Sequence, residues 1–341
     1  MIELRTHQGP LPADLRSEWE LLLDEDPHGT VFHGPRYLGA WARTLGSGTP
    51  VRVHTVRRDG RLIGVVPDAN DLAGSVGGPQ EIRRFQGGTE VTDYLGPVSR
   101  EEDRFDVADA YVANLATDVD WDEFVAGGLA EDSGWPDAFR AAFSAHRLEL
   151  IEDQIEDVCP VVQLPGSGRA YFDQLPGRTR QELTRKSRKL ARDAGDIELV
   201  EVPAEEVVGR LDAFLDQAAE AMPQKAGFFR RQEIHEWFRS LAAELVEVGT
   251  FRLHELHVGG LQAASTVSLV RGGHWGLYNS AFDPTLGSLA PGMVMITLLI
   301  EQVADEGYRL FDLLRGDEAY KYRFGAEDRE LRRLSVVRSQ R

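Results

Sequence analysis

Phe251-Arg252-Leu253-His254, running into a turn at Gly259-Gly260, repeats at an offset of 200 an earlier segment, Val51-Arg52-Val53-His54, that runs into a turn at Asp59-Gly60. In each, β-branched, aromatic or aliphatic residues precede a Gly-containing turn and an apolar segment follows it, which is the pattern of a β-hairpin. The surroundings repeat as well. Upstream lies a helix carrying a tryptophan: Pro35 to Leu45 around Trp41, with Pro at its first turn, and Arg231 to Val248 around Trp237, with apolar residues at helical spacing. Downstream come strand, helix and strand. In the first copy these are an Asp93-Tyr94 strand, the helix Asp103 to Ala116 and the strand Trp121 to Val125; in the second, His274 to Phe282, the helix Gly292 to Glu306 with Gly307 as C-cap, and Tyr308 to Leu314. A meander followed by a β-helix-β crossover, present twice, predicts an α/β protein of two like domains. Their sheets are mixed but mostly antiparallel and flanked by helices. The Pro160 to Gly168 linker, with Pro165-Gly166-Ser167-Gly168 as its punctuation, sets the domains at 1–160 and 161–341.

With 341 residues, 28% charged and 42% hydrophobic, the chain is long enough for about two domains of roughly 150 residues, and the disordered and fibrous classes are excluded. Asp plus Glu number 56 against 38 Lys plus Arg, a net charge of -18 that repels a nucleic-acid backbone, so DNA is not expected as a partner and any polyanion must meet a local basic patch. The apolar run Met293 to Ile300, with Thr297 inside it, falls short of the roughly 18 residues a membrane span needs. Met1-Ile2-Glu3 leads into polar sequence without an apolar leader, and the single Cys159, beside Pro160, has no disulfide partner. A cytoplasmic location is expected. The histidines show no metal-ligand spacing, so no metal is expected.

The second copy's central helix opens Ser288-Leu289-Ala290-Pro291-Gly292-Met293, with no charged side chain between Thr285 and Ile300. Such a start leaves N–H donors free and the positive dipole end uncompensated, so it can hold a phosphate. The first copy's helix opens Ser99-Arg100-Glu101-Glu102-Asp103, where three carboxylates already occupy that end. Only the second copy is competent for an anion. A plain buried core helix explains the apolar run equally well, but not the acid-free approach loop.

The run Gly273 to Asp283, then Ala290-Pro291-Gly292, Gly307, and Asp312 to Gly325 with its Gly316 and Tyr320-Lys321, resembles the CelD-type acetyltransferases of the GNAT superfamily. The Fem-type aminoacyl transferases share the two-copy architecture, and Phe32 to Trp41 and Asp93-Tyr94 match the usual first copy. The resemblance implies N-acyl transfer from acetyl-CoA or another acyl-CoA, bound as co-substrate with no tightly held cofactor. The acceptor is an amine on a small molecule or glycan held between the two domains. It implies a donor cradle at Ala290, Pro291, Gly292 and Met293, and pantetheine contacts along Asn279, Ser280 and Ala281. Of the usual acyl-CoA loop only Gly292 is secure; Ser288 to Pro291 is a degenerate version.

Acyl transfer also needs a base for the amine and an acid for the thiolate. Tyr278 or Tyr320 could protonate the sulfur, and Asp283 and Asp312 are the candidate bases if burial raises them. Asp283-Pro284 is equally a turn signal. Asp312 shares a strand face with Leu310 and Leu314, which points to a partnered or functional carboxylate, with Arg315 or Lys321 as candidate partners. The resemblance gives Lys321 the stabilisation of developing negative charge. Arg36, Asp93 and Tyr94 of the first domain are the candidate acceptor contacts. Arg178 to Arg192 concentrates Arg178, Arg180, Arg185, Lys186, Arg188, Lys189 and Arg192 against a single internal acid, Glu182. Arg185 and Arg188 from this segment are the second set of substrate contacts, to CoA phosphates, a tRNA end or an anionic glycan; a charged helix is otherwise a solvated face. Two alternatives remain open: aminoacyl transfer from tRNA to a cell-wall precursor, and a non-catalytic sugar or nucleotide-sugar binding module.

Overall fold

The computed structural model describes residues 1–75 and 78–338. The chain forms two compact units: Met1–Val158 together with the terminal segment from Arg329, and Cys159–Asp328.

The first unit contains β1 (Ile2–Gln8), α1 (Ala13–Glu25), α2 (Pro35–Arg43), β2 (Val51–Arg58), β3 (Arg61–Ser75), β4 (Gly78–Phe85), β5 (Val98–Ser99), α3 (Arg104–Thr117), β6 (Glu123–Ala130), α4 (Trp135–Ala145) and the start of β7 (Leu148–Gln163). Strands run β1-β2-β3-β4-β6, with β5 on β3. The β2·β3 hairpin closes at Arg58↔Arg61 around Asp59 and Gly60, both at positive φ (51° and 84°), as a type I′ turn requires. β4 and β6 pair in parallel across the α3 crossover. Val107, Tyr111, Val112 and Leu115 of α3 meet Phe124 of β6 and Trp135, Phe139 and Phe143 of α4 in one buried cluster; each large side chain there contributes about 1.5–3 kcal/mol. Inside this unit the Asp68 carboxylate, fully buried, accepts from Arg52 Nε (2.9 Å) and the Tyr111 hydroxyl (2.8 Å) and meets His54 Nε2 at 2.9 Å.

The second unit takes the end of β7, then α5 (Gly168–Gln174), α6 (Gly177–Ala194), β8 (Ile197–Glu201), α7 (Ala204–Ala221), α8 (Ala226–Phe229), α9 (Gln232–Leu245), β9 (Phe251–Val258), β10 (Leu261–Arg271), β11 (His274–Phe282), α10 (Pro291–Asp305) and β12 (Leu310–Asp312). Val161–Gln163 of β7 pair with β12, and the order continues β11-β10-β9-β8. The β9·β10 hairpin repeats the first unit's turn, with Gly259 and Gly260 at φ 58° and 82°. Here too the parallel pair, β11·β12, flanks the crossover helix. α10 is buried on two sides: Ile296, Leu299, Ile300 and Val303 pack on Val270, Trp275 and Phe311, while Val294 and Met295 pack on Leu190 of α6 and Leu256 of β9. That explains its uncharged sequence. α5 comes so close to α10 that a Cβ on Gly168 would sit 2.6 Å from the Glu301 carbonyl oxygen. The last strand, β13 (Glu327–Arg338), pairs with β6 of the first unit.

The α/β architecture with mixed, mostly antiparallel sheets is as expected, and four details differ. Asp93-Tyr94 is loop, not strand, because positive-φ glycines at Gly87, Gly88 and Gly96 break the chain on both sides. Tyr308 to Leu314 is strand only over Leu310–Asp312: the Tyr308 N–H still closes α10 on the Val303 carbonyl (3.2 Å), and Leu314 turns to φ 59°. Pro160 to Gln163 belong to β7 and not to a linker, and the segment from Arg329 lies in the first unit instead of the second.

Candidate active site

The second unit's central strand, β11, is irregular where it matters. Asn279 faces Val267 and Leu277 faces Ser268, so Tyr278 is the extra residue of a β-bulge. On the other side β11 holds β12 through only three pairs, His274↔Leu310, Trp275↔Phe311 and Gly276↔Asp312. Past Gly276 the two strands part.

Side chains on β12 and the loop after it fix this parting. Asp312, fully buried, accepts the Leu314 N–H at Oδ1 (2.7 Å) and lies 2.9 Å from His274 Nε2 at Oδ2. For that contact to be a hydrogen bond, His274 must carry its proton on Nε2. The Leu314 N–H bond holds Leu314 in the left-handed region, where β12 ends. Lys321, 3% exposed, donates from Nζ to the carbonyls of Leu314 (2.8 Å), Arg315 (2.8 Å) and Gly316 (3.0 Å) and pairs with Glu318 at 2.9 Å. Burial opposes ionisation of Glu318, but the Lys321 hydrogen bond and charge prevail and hold its carboxyl below the usual range. The ammonium is thus the lock of the loop 314–318. His274 is the neighbour of Asp312 that sequence reasoning missed; no periodicity could reveal it, since the contact depends on the parallel register of β11 and β12.

Facing the parting is the start of α10. Asp283 Oδ1 accepts from the Thr285 N–H (2.8 Å) and hydroxyl (2.7 Å), capping the 3-10 turn Pro284–Leu289. Ala290 then adopts φ 55° and Pro291 opens the helix, with no acid in the first turn. A Cβ on Gly292 would make only ordinary contact with Phe282, at 3.6 Å. In the first unit the corresponding turn, Glu101–Asp103, is acidic, and Asp103 is engaged by Arg58 at 2.6 Å.

The two candidate tyrosines differ. Tyr278 OH accepts from Trp237 Nε1 (3.2 Å) and its ring lies against Phe238. Tyr320 is 36% exposed as a residue, yet crowding around its hydroxyl and then the Glu318 charge push the phenol up to about 12. Such a phenol keeps its proton near neutrality and can serve as an acid. Arg185 and Arg188 lie exposed on α6, along the groove between α5 and α6. In the first unit Arg36 stands on α2, 3.7 Å from Glu20, and the Tyr94 ring is buried under the Arg329 guanidinium at 5.2 Å; Asp93 is half-buried in the loop beside it. The structure therefore brings together Asp312, Lys321, His274, the bulged strand and the α10 start within the second unit. Among the described residues no group of three metal-ligating side chains is found.

The family model described as an acetyltransferase (GNAT) domain matches residues 177–322, which contain the bulged strand, the crossover helix and the loop lock. The second unit is thus similar over these residues to GNAT-type acetyltransferase domains. No curated protein sequence matches the chain. Among solved structures it is similar to FemX, with 10% identity over 97% of both chains and a TM-score of 0.68. It is also similar to the C-terminal domain of a lysylphosphatidylglycerol synthetase described as putative, from Agrobacterium fabrum (13% identity, 95% and 91% coverage, TM-score 0.57), and to L-PGS from Bacillus licheniformis (10% identity, 95% and 91% coverage, TM-score 0.57). At these identities the likeness is one of fold.

Proposed function

We propose that the protein is an N-acyltransferase that moves an acyl group from an acyl-CoA, acetyl-CoA being the simplest, to an amine acceptor. The observation that carries the reading is the parting of β11 from β12 beside the acid-free N-terminus of α10. Those strand N–H groups along Asn279, Ser280 and Ala281 that face away from β10 can bind the pantetheine and the thioester oxygen, while the Gly292 N–H, behind Ala290 and Pro291, takes the pyrophosphate; the Met293 N–H already donates to the Ala290 carbonyl (3.1 Å). Asp312 and Lys321 act as positioning residues that hold the parting open. Tyr320, protonated at neutral pH, is the candidate acid for the thiolate, and Tyr278 lies on the bulge itself. A base acting through water would remove the amine proton.

Binding of acetyl-CoA is the first test. It should raise the melting temperature, and Gly292→Glu should abolish the rise while keeping the fold, since the glycine has room for a side chain and the new carboxylate would occupy the dipole end. An unchanged melting temperature at saturating acetyl-CoA sinks the proposal.

A second reading, transfer of an aminoacyl group from tRNA, draws on the likeness to FemX and on the basic groove of α6. Salt-sensitive retention of tRNA together with indifference to acetyl-CoA would select it.

A further inference from the structure

The face of the second unit's sheet that carries α10 is crossed by a row of polar side chains. In register, Glu201 of β8 pairs with His254 of β9, His254 with Thr266 of β10, and Thr266 with Ser280 of β11. Directly opposite residues of antiparallel strands share a face, with Cβ atoms about 4.5–5.5 Å apart, so a carboxylate, an imidazole and two hydroxyls stand side by side. The row begins at solvent, where the Glu201 side chain is 43% exposed and its Oε2 lies 3.9 Å from His254 Nε2. It ends on the strand that borders the donor site. Phe282, two residues after Ser280 and so on the same face, lies against Gly292 at the α10 start.

The middle of the row is not tied down. His254 and Thr266 are fully buried, and among the described residues neither ring nitrogen of His254 nor Thr266 Oγ1 has a hydrogen-bond partner. Buried polar atoms without partners weaken a fold, so stability alone does not account for them. The first unit shows the satisfied alternative. There the matching histidine, His54, meets Asp68 Oδ2 and Thr6 Oγ1, both at 2.9 Å, and the residue opposite it on β3 is Val66. The unit whose crossover helix starts with acids thus has a partnered histidine and an apolar neighbour, whereas the unit with the acid-free α10 start has an unsatisfied histidine and hydroxyls leading to β11. Arg252, the nearest charge on the same strand, is occupied by Glu201 (3.5 Å) and Glu306 (3.2 Å). Burial, and then Arg252, lower His254 to about 4, so the ring is neutral. A neutral imidazole carries one N–H and one lone pair and can pass a proton on.

We propose that Ser280, Thr266, His254 and Glu201 form a relay that carries the proton of the attacking nucleophile from the donor strand to the surface. The relay rests on the acyl-CoA reading above, in which a base takes that proton through water, and gives the proton its destination. As the nucleophile attacks the thioester it loses a proton to Ser280 Oγ, whose own proton passes to Thr266 Oγ1. Thr266 passes its proton to one ring nitrogen of His254 while the other gives up its proton to the Glu201 carboxylate. Each group in between gains one bond to hydrogen as it loses one, and Glu201 ends protonated and returns the proton to solvent. Only Ser280 meets the reacting group; the other three act through it. Thiol release from acetyl-CoA by the full chain, with water as the nucleophile, tests the relay. Thr266→Val, which copies Val66, removes one link and one unsatisfied hydroxyl: acetyl-CoA affinity and melting temperature should hold while kcat falls about 100-fold, the low end of what general acid–base catalysis supplies. Thr266→Ser, which keeps the hydroxyl, should restore most of the rate, and Ser280→Ala, at a half-buried position, should lose as much as Thr266→Val. A kcat within about twofold of wild type in Thr266→Val or Ser280→Ala, or a loss that Thr266→Ser shares, overturns the relay and leaves the acyl-CoA reading standing. So does a wild type that binds acetyl-CoA without releasing thiol. Acetyl-CoA that does not bind at all removes both.

Discussion

Replacing Lys321 by Met should destabilise the second unit far more than a surface substitution. The Nζ atom satisfies three consecutive carbonyls, at Leu314, Arg315 and Gly316, and pairs with Glu318, while only 3% of the residue is exposed. A hydrogen bond to a charged group is worth about 1.5–3 kcal/mol, and the three share one donor group, so they do not add. Glu318 is 45% exposed on its side chain and can return to water, which lowers the cost of losing its partner. The carbonyls cannot do so as easily, since Leu314 is buried. The net loss is about 3 kcal/mol, on the order of 10 °C in melting temperature for a unit of this size. Urea and thermal unfolding of wild type and Lys321→Met measure it directly. A variant within about 0.5 kcal/mol of wild type would show that the ammonium does not hold the loop and would refute the account of how β12 leaves β11.

Two further outcomes follow from the interior of the second unit. Burial, and then the Arg252 charge, lower His254 to about 4, so the folded protein keeps it neutral; stability should be full above the ordinary histidine value of 6.5 and fall as pH drops from there toward 4. His254→Gln should flatten that part of the pH profile, and an unchanged slope would contradict the burial argument. Gly168→Ala should cost about 1–3 kcal/mol, because the added methyl meets the Glu301 backbone and not a movable side chain; a neutral result by chemical denaturation would mean that α5 shifts freely on α10.

The hairpins, the crossover helices and the exposed basic face were legible in the sequence because each is written locally. Positive-φ pairs at Asp59-Gly60 and Gly259-Gly260 leave a turn signature, and α10 advertises its burial by lacking charge. Asp312 could be recognised as an oddity among leucines, but its partner His274 could not be found, since only the parallel ladder brings the two rows together. Lys321 illustrates another limit. Its charge suggested a role toward substrate, yet the 3-10 turn Lys321–Phe324 directs the side chain back onto carbonyls five to seven residues earlier. Asp283 could be read either way from its Pro neighbour, and the cap on Thr285 is what the fold makes of it. The Asp93-Tyr94 strand failed because flanking positive-φ glycines outweigh a two-residue signal.

The return of β13 to the first unit has a consequence for biosynthesis. Leu331 to Val337 complete the pairing of β6, and Leu334 and Val336 fill the cluster around Phe124 and Phe139. A ribosome delivers those residues only after all of Cys159–Asp328 has been made. The N-terminal unit therefore cannot complete its sheet before the second unit has been synthesised. The second unit can close while the first still waits, with the Glu123–Ala130 strand open along one edge, the kind of edge that templates wrong pairings until the final strand arrives.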